Sequence, residues 1–469
     1  MGFSSGLGVG GTKIWKPKKA PDNPTNVANI YKTSQLVGIG FTANDNGSPL
    51  IDVPSTLGQS VTISPNLSGS VANVTTDTKQ GSSHNMYITM GTAPTQGQSY
   101  TFTFKPENAV GKASSTGSLS LIPFPKPTVE GGVLYSDSTY YYRLFTSSVY
   151  SGQAGGLKVN VPFEPTSSSV TLNMLLVAPG GGGTTGRYYG VGAGGGAGGI
   201  RNFSVTVDYN AMLVSNGQFD ITLGSAGSGS YIDANGNWYS GWSGDGSTVG
   251  YYVNSSGSPV YTQRYAFGGG GGRGYWVGAT DYPYTGGSGG GAGVSYWMNS
   301  VAGIAVKNQA GADSESLANV GNNGGYSSLV GQYYYGAGGG GGAGSVGGNG
   351  NGSTTTGGAG GSGINTYSSW LAACGINNYS GYIAGGGGGT AGAYDYWGVI
   401  GFGTPGAAGI GGGGAGKHSD TQAGNNGGQY SGGGGGALGT NAANGSSLTY
   451  AGNGGSGFLI VRYLKTEVA

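Results

Sequence analysis

Several short motifs in this sequence have the residue types of nucleotide-binding or catalytic sites. Residues 411–417 have the G-x-x-x-x-G-K spacing of a phosphate-binding loop, but His418 stands where a Ser or Thr would bind magnesium. Residues 286–290 match the G-x-S-x-G pattern around a nucleophile, here Ser288. Because 109 of the 469 residues are glycine, such matches are expected by chance. Neither motif has the strand-to-helix context that its chemistry requires.

Residues for acid–base and metal chemistry are equally sparse. The chain has two histidines, His84 and His418, and a single cysteine, Cys374. One cysteine excludes internal disulfides and cysteine-cluster metal sites, and the scattered carboxylates form no evident glycosidase pair. The net charge of +1 provides no field that would attract nucleic acid. We therefore predict a protein that is not an enzyme and has no cofactor, no metal and no nucleic-acid partner.

The residues best suited to bind a ligand are aromatic. Tyrosine and tryptophan occur 33 and 7 times, often side by side and surrounded by Ser, Asn, Thr and Gly. Antibody paratopes have this composition, which also suits carbohydrate surfaces. The receptor-binding candidates are Tyr275, Trp276, Tyr282, Tyr284, Tyr296, Trp297, Tyr394, Tyr396 and Trp397. The alternative is that such rings cover exposed backbone edges or fill a core, and we expect different loops to fall in each class.

These aromatic segments separate long glycine runs, which include 180–183, 192–199, 268–274, 286–293, 336–344, 385–389, 411–416 and 432–436. A glycine run has no side chain to bury, so only backbone hydrogen bonds can order it. Polyproline II geometry has three residues per turn and no internal hydrogen bonds, so packed runs could bond to one another. The aromatic content argues against a disordered chain. We predict a slab of packed polyglycine II helices, with loops that alternate between its two ends.

Strand patterns precede and frame the glycine runs. Apolar alternation at 37–41 and 100–104 predicts half-buried strands. Apolar segments at 140–145, 170–177 and 457–463 predict a framing sheet that brings both ends of the glycine-rich insert together. The predicted fold class is all-β: an N-terminal β-sandwich followed by a β-framed glycine-rich domain with packed polyglycine II helices.

The chain divides into four predicted parts. Residues 1–22 form an arm, 23–123 a sandwich, 124–127 a Pro-rich linker and 128–469 the glycine-rich domain. The arm is either a solvated terminus or a docking peptide, and its docking candidates are Lys13, Trp15, Lys16, Lys18 and Lys19. It lacks the apolar core of a signal peptide, and no apolar stretch reaches the length of a transmembrane helix.

Two regions resemble known families. The segments PTNV, FTANDNGSPL and SYTFTFKPENAVGKAS, within residues 24–115, are similar to a fibronectin type III module. That resemblance implies an immunoglobulin-like sandwich, which usually acts as a spacer. Over residues 140–463, NMLLVAPGGGG, GAGGGAGGI, FDITLGSAGSG, AFGGGGG and GGSGFLIVRY resemble the glycine-rich domain of phage tail-fibre and other virion proteins, including polyglycine-helix adhesins.

The second resemblance implies a virion structural protein, a tail-fibre or spike component that displays aromatic loops for host-surface recognition. Its partners would be other virion proteins, through the arm, and a host glycan or outer-membrane protein; copies of the chain could also assemble. Its location would be the virion exterior, after synthesis in the host cytoplasm. The alternative is a head fibre or capsid decoration protein without a specific receptor. A cellular surface adhesin is a third interpretation, which the missing signal peptide disfavours.

Overall fold

Strands dominate the structure, a computed structural model. It describes residues 19–32, 36–46, 50, 61–65, 73–76, 82–90, 95, 98–121, 126–162, 169–186, 191–232, 238–239, 241–255, 258–273, 286–295, 298–299, 321–331, 333–395, 398–419, 422–440 and 449–469. The helices among these residues are short: α1 (Tyr209–Ser215), α2 (Ser368–Ala373) and 3-10 turns at Asn378–Gly381 and Lys465–Glu467. The predicted all-β class is confirmed.

The chain forms two compact units. The N-terminal unit comprises Met1–Lys126, Pro162–Ser168 and Ala469, and the glycine-rich unit comprises Pro127–Val161 and Ser169–Val468. The limits given above for the arm, the sandwich and the linker remain predictions.

The N-terminal unit is built from two antiparallel sheets and a short ribbon. Its strands are β1 (Thr25–Lys32), β2 (Leu36–Thr42), β3 (Val61–Ser64), β4 (Asn73–Thr76), β5 (Ser83–Thr89), β6 (Tyr100–Phe104), β7 (Glu107–Asn108), β8 (Gly111–Lys112) and β9 (Gly117–Leu121). The sheet orders are β1-β2-β5-β4 and β3-β6-β9, and β7 pairs with β8. The strands predicted at 37–41 and 100–104 are thus present as β2 and β6.

Alternating apolar residues hold these two sheets together. The buried side chains of Val37, Ile39 and Phe41 on β2 belong to one core with those of Phe102 and Phe104 on β6. The rings of Phe41 and Phe104 meet across this core, with centroids 4.9 Å apart. A period of two residues puts one face of each strand inside, which is the packing of a β-sandwich.

The glycine-rich unit contains longer strands and many two- or three-residue strands. They are β10 (Thr128–Glu130), β11 (Val133–Ser136), β12 (Tyr140–Phe145), β13 (Lys158–Asn160), β14 (Ser169–Val177), β15 (Thr185–Gly186), β16 (Ile200–Asp208), β17 (Asp220–Thr222), β18 (Tyr231–Ile232), β19 (Trp238–Tyr239), β20 (Ser247–Ser255), β21 (Ser258–Ala266), β22 (Val294–Ser295), β23 (Met298–Asn299), β24 (Ser328–Val330), β25 (Tyr334–Gly336), β26 (Ala391–Asp395), β27 (Gly398–Phe402), β28 (Lys417–His418), β29 (Leu438–Gly439), β30 (Thr449–Tyr450) and β31 (Phe458–Leu464).

A five-stranded antiparallel sheet, in the order β11-β12-β31-β14-β16, frames this unit. On one face, Met174 and Val461 belong to a core that includes residues of α1, β17 and β20. On the other face, Leu175 and Ile460 pack in a core with Trp370 of α2. Both faces are therefore covered, which explains the nearly continuous apolar runs in β14 and β31. The predicted frame is confirmed, since β14 and β31 are neighbours.

Three strands of this sheet continue directly into glycine runs. Strand β14 ends at Val177, which lies opposite Ile200, the start of β16, and opposite Phe458, the start of β31. The runs 178–184, 191–199 and 451–457 therefore lie at the same end of the sheet, where these three strands end or begin. At about 3.1 Å per residue, a seven-residue run in polyproline II geometry extends about 22 Å from that end.

The run 191–199 shows how the glycine segments are held. Its N–H groups donate to three neighbouring runs, and two donors three residues apart bond to each of these runs. Gly194 and Ala197 donate to Gly338 and Gly341 of one run. The other two pairs of donors are Gly195 and Gly198, which bond to Gly435 and Gly432, and Gly196 and Gly199, which bond to Gly270 and Phe267. Its carbonyl groups accept from three more runs, at 181–184, 288–291 and 387–390. Partners thus recur every third residue, the period of polyproline II and not of a strand. The polyglycine II geometry of the runs stays a prediction, which this hydrogen-bond period supports.

The runs stack in layers, which together we call the glycine body. The first layer contains 241–246, 267–273, 286–292 and 321–326; the second 225–230, 178–184, 191–199, 336–343 and 345–350; the third 451–457, 431–438, 383–390 and 357–364; and the fourth 424–428, 411–416 and 403–410. Runs that are adjacent in this order are joined by backbone hydrogen bonds.

The sequence of each run matches its position in the body. The uninterrupted glycines of 385–389 and 432–436 are buried in the third layer. Where a run lies at the surface, every third residue faces away from the neighbouring runs and can carry a side chain. Asn453 in 451–457 and Ala359 in 357–364 are exposed in this way. At the closest interior contacts there is no room for a side chain: a Cβ at Gly195 would lie 2.2 Å from the carbonyl oxygen of Gly181.

Candidate functional site

The glycine body has two different ends. One end joins the five-stranded sheet, as described above. We call the other the loop end; its described residues are 185–186, 231–232, 238–239, 294–295, 298–299, 327–331, 333–336, 351–356, 391–395, 398–403, 417–419, 438–440 and 449–450. Side-chain variety in the glycine body is therefore concentrated where the runs turn.

Short sheets tie the segments of the loop end together. They have the orders β15-β29-β28, β19-β18-β30 and β24-β25-β26-β27, and β22 pairs with β23. Thr390 joins β26 to the centre of the body, because its Oγ1 accepts a 2.7 Å hydrogen bond from the N–H of Gly192. The loop end is thus built from segments far apart in sequence.

The predicted alternation of loops between the two ends fails at three runs. Gly287 donates to Gly268 and Arg273 to Gly291, so 267–273 and 286–292 are parallel. The run 321–326 is parallel to them as well, since Ala292 donates to Gly325. The prediction of strict alternation is therefore wrong there. The physical reason is that polyproline II backbone groups point to all sides, so parallel and antiparallel neighbours are equally well satisfied.

Exposed aromatic rings lie on the loop end. Tyr333 and Tyr334 are 44% and 46% exposed, and Phe402 and Tyr450 are each 43% exposed. Tyr450 stacks on Tyr231 with a centroid distance of 5.5 Å. In contrast, Tyr335 is buried in a small cluster with Val191, Ala193 and Ala337. The described aromatic residues of the loop end therefore include both exposed and buried rings.

Most of the predicted receptor-binding residues lie outside the described residues. Tyr394 is in β26 at the loop end, where its backbone lies opposite Val399. Outside the described residues are Tyr275, Trp276, Tyr282, Tyr284, Tyr296, Trp297, Tyr396 and Trp397. Trp297 falls between β22 and β23, and Trp397 between β26 and β27, all of which belong to the loop end.

None of the four exposed rings named above is among the predicted receptor-binding residues. A signal was present for Tyr333 and Tyr334, because three consecutive tyrosines in a strand must place rings on both faces. Phe402 directly precedes the run 403–410, and Tyr450 directly precedes the run 451–457. Of the docking candidates, Lys19 is described and exposed, whereas Lys13, Trp15, Lys16 and Lys18 lie outside the described residues.

The nucleophile and phosphate-loop motifs are part of the glycine body. Ser288 is fully buried, its N–H donates to Ala197, and its carbonyl accepts from Gly270. A substrate cannot reach its hydroxyl. Lys417 follows a polyglycine run rather than opening a helix, and its ammonium binds the Gln422 side chain at 2.6 Å. Burial raises the pKa of the Cys374 thiol to about 12, which leaves it protonated and unreactive.

His418 is a buried titratable side chain at the loop end. Its ring stacks on Phe402 with a centroid distance of 4.6 Å. Both ring nitrogens are buried and have no hydrogen-bond partner in the part of the chain that the structure describes. Desolvation lowers the pKa of His418. The backbone groups of Gly403 and Gly439 favour the charged ring and offset this only in part, since neither reaches full hydrogen-bond geometry with it. The ring is therefore neutral at pH 7.

We expect acidification to loosen the loop end through His418. Because its folded pKa lies below the ordinary value of 6.5, the stability that depends on a neutral ring is complete above about pH 6.5 and decreases as the pH falls below it. The melting temperature of the glycine-rich unit should fall between pH 7 and pH 5, and the fall should be smaller for His418→Phe, which cannot be protonated. His84→Gln, in the N-terminal unit, is the matched control. Calorimetry that finds the same fall in wild type and His418→Phe would contradict this prediction.

Among the described residues, no group of three or more His, Cys, Asp and Glu side chains is placed to hold a metal ion. No described helix is long and apolar enough to cross a membrane. Comparison with known protein families finds no match to this chain, and comparison with curated proteins finds none either.

Proposed function

We propose that this chain is a virion structural protein, a tail-fibre or spike component whose loop end recognises the host surface. The observation that carries this proposal is that exposed rings of Tyr333, Tyr334, Phe402 and Tyr450 share one end of a rigid backbone lattice. Aromatic rings kept in solvent on a fixed surface usually mark an interaction site.

The construction of the glycine body supports a display role. Many of its interior positions require glycine, because a Cβ added there would meet backbone atoms, as at Gly434, where it would lie 1.9 Å from the carbonyl oxygen of Gly195. The loop end, in contrast, is built on short strands. Such a scaffold can vary its loops without altering its core, as binding loops on rigid folds do.

The chemistry of the loop end favours a glycan or an outer-membrane protein as the ligand. Tyrosine and phenylalanine rings provide large apolar contact area, and tyrosine hydroxyls add hydrogen bonds. The surrounding Ser, Thr and Asn side chains provide small, adaptable polar groups, which is the division of roles in antibody paratopes. With a net charge of +1, the chain has little long-range attraction for polyanions.

The alternative function is that of a head fibre or capsid decoration protein without a specific receptor. In either case residues 1–22 are proposed to dock the chain to other virion proteins. The proposal includes no enzymatic activity and no cofactor, and it puts the chain on the virion exterior.

Removal of the arm tests the proposed function in particles. A chain of residues 23–469 should remain folded and soluble, since the buried core of the N-terminal unit begins at Val37 and Val27 packs against it, but it should no longer be incorporated. Immunogold labelling of purified particles is the measurement, with the full-length chain as control. Label at the tail tip supports the fibre proposal, whereas label over the head supports the decoration alternative. Particles that carry no label with the full-length chain would refute both.

A further inference from the structure

A concave site lies in the glycine-rich unit, away from the glycine body. It is a cavity of about 250 Å³, lined by Glu130 of β10, Lys158 of β13, the loop 150–156, and Gln218 and Phe219 before β17. None of these residues belongs to the loop end.

The loop that forms one wall of this cavity is held in place by side chains. The side-chain oxygen of Gln153 accepts a 3.0 Å hydrogen bond from the N–H of Tyr150. The backbone carbonyl of Gln153 accepts a 3.2 Å hydrogen bond from the N–H of Gly156. The N–H of Ser151 donates to Asp220 at 2.8 Å, and the Ser151 hydroxyl donates to Gln218 Oε1 at 2.6 Å. A loop fixed in this way needs little further ordering when a ligand binds.

Three polar side chains around the cavity present hydrogen-bonding groups that a ligand can use. Glu130 and Lys158 lie opposite each other in the β10–β13 ladder, yet among the described residues neither side chain has an ion-pair or hydrogen-bond partner. Gln218 uses its oxygen to hold Ser151, which leaves its NH₂ group available. One carboxylate acceptor and two donors therefore surround the same small space.

An aromatic ring and a bare backbone complete the site. Tyr150 is 51% exposed beside the cavity. A Cβ at Gly152 or Gly155 would meet nothing within 4 Å, so the space over this loop is empty. A ligand could therefore contact the ring on one side and the polar groups on the other.

We propose that this cavity binds one neutral sugar unit of a polysaccharide or glycan. A sugar hydroxyl both donates and accepts, so neighbouring hydroxyls fit a carboxylate beside an ammonium and an amide. A charged ligand would be attracted by one of Glu130 and Lys158 and repelled by the other, which disfavours it. The tyrosine ring would cover the apolar C–H face of the sugar. The volume is below the 300–1,000 Å³ typical of larger ligands and suits a single unit.

Saturation-transfer NMR with the full-length chain tests this site without any cell. The probes are glucose, galactose, mannose and N-acetylglucosamine, with sialic acid and inorganic phosphate as charged comparisons. At least one neutral sugar should bind saturably. Tyr150→Ala and Glu130→Gln should each weaken that binding about tenfold or more, since a charged hydrogen bond or an aromatic contact is lost. Trp242→Ala removes an exposed ring elsewhere on the unit and should leave the binding unchanged.

Three outcomes would overturn the proposal: no neutral sugar binds, only a charged probe binds, or Tyr150→Ala binds as tightly as wild type. Melting curves of the variants identify any that fail to fold, and Glu130→Gln, an exposed and nearly isosteric change, keeps the test valid if Tyr150→Ala does not fold. Because cells play no part, this result is independent of the proposed host recognition by the loop end.

Discussion

Replacement of Gly340 by valine should prevent the glycine body from folding. A Cβ at this position would lie 1.9 Å from the carbonyl oxygen of Gly195. The obstacle is backbone, so no change of side-chain rotamer can relieve it. Separation of the two runs would also strain the bonds that Gly340 makes with Gly387 and Gly361. We expect a loss of more than about 4–5 kcal/mol, among the largest effects of single substitutions and close to the whole stability of a typical domain.

Gly401→Val is the matched control for this substitution. Gly401 lies in β27, and a Cβ there would meet nothing within 4 Å. Valine also suits a strand, so the change in unfolding free energy should stay within about 0.5 kcal/mol. Thermal melting by circular dichroism compares the two variants. Equal melting temperatures for Gly340→Val and Gly401→Val would show that close packing of the runs does not hold the body together.

Truncation before β31 should have a comparable effect on the glycine-rich unit. Strand β31 lies between β12 and β14 and pairs with both. Its Phe458, Leu459, Ile460 and Val461 side chains are fully buried. At about 1.5–3 kcal/mol for each buried apolar side chain, deletion of 457–469 removes roughly 6–12 kcal/mol of gross stabilisation, similar to the stability of a whole domain. The unit should become insoluble or protease-sensitive.

Truncation after Leu464 provides a graded control. It keeps β31 and removes mainly the buried Val468 side chain and the 3.0 Å hydrogen bond that Glu467 accepts from the N–H of Thr171. This shorter deletion should lower the melting temperature yet leave a folded unit. Limited proteolysis followed by mass spectrometry distinguishes the two chains. A soluble, protease-resistant chain that ends at 456 would mean that the sheet does not frame the glycine body.

The framing sheet could be predicted from the sequence because its strands have strong local patterns. Strands β12, β14 and β31 are apolar segments, and their burial on both faces leaves little ambiguity. Strand β16 was not predicted, although Phe203, Val205 and Val207 alternate in it. Helix α1 also escaped prediction, since seven residues carry too little periodicity; Asp208 caps it through the N–H of Ala211 at 2.7 Å.

The arrangement of the runs within the body could be predicted only in part. The contrast between 432–436, which is all glycine, and 451–457, where Asn453 interrupts the run, indicates which run is interior. Which runs are neighbours is not encoded in the same way, because one backbone hydrogen bond is chemically like another. The members of the loop end were hard to identify for the same reason. Tyr334 and Tyr335 are adjacent and identical, and only the packing of Tyr335 on Val191 separates their roles.

Binding to host cells tests the central claim, that the loop end is the recognition surface. Purified, fluorescently labelled protein is titrated on cells of the host that supports the particle, and bound protein is measured by flow cytometry. The loop-end variants are Tyr333→Ala with Tyr334→Ala, and Phe402→Ala with Tyr450→Ala. The matched control is Tyr252→Ala with Tyr261→Ala, two exposed rings on the β20–β21 hairpin outside the loop end.

We expect at least one loop-end variant to lose tenfold or more in affinity with an unchanged melting temperature, because aromatic residues often dominate binding energy. The hairpin control should bind like the wild type. Full binding by both loop-end variants, or a loss confined to the hairpin control, would contradict recognition by the loop end and favour a decoration protein or a binding surface elsewhere on the chain.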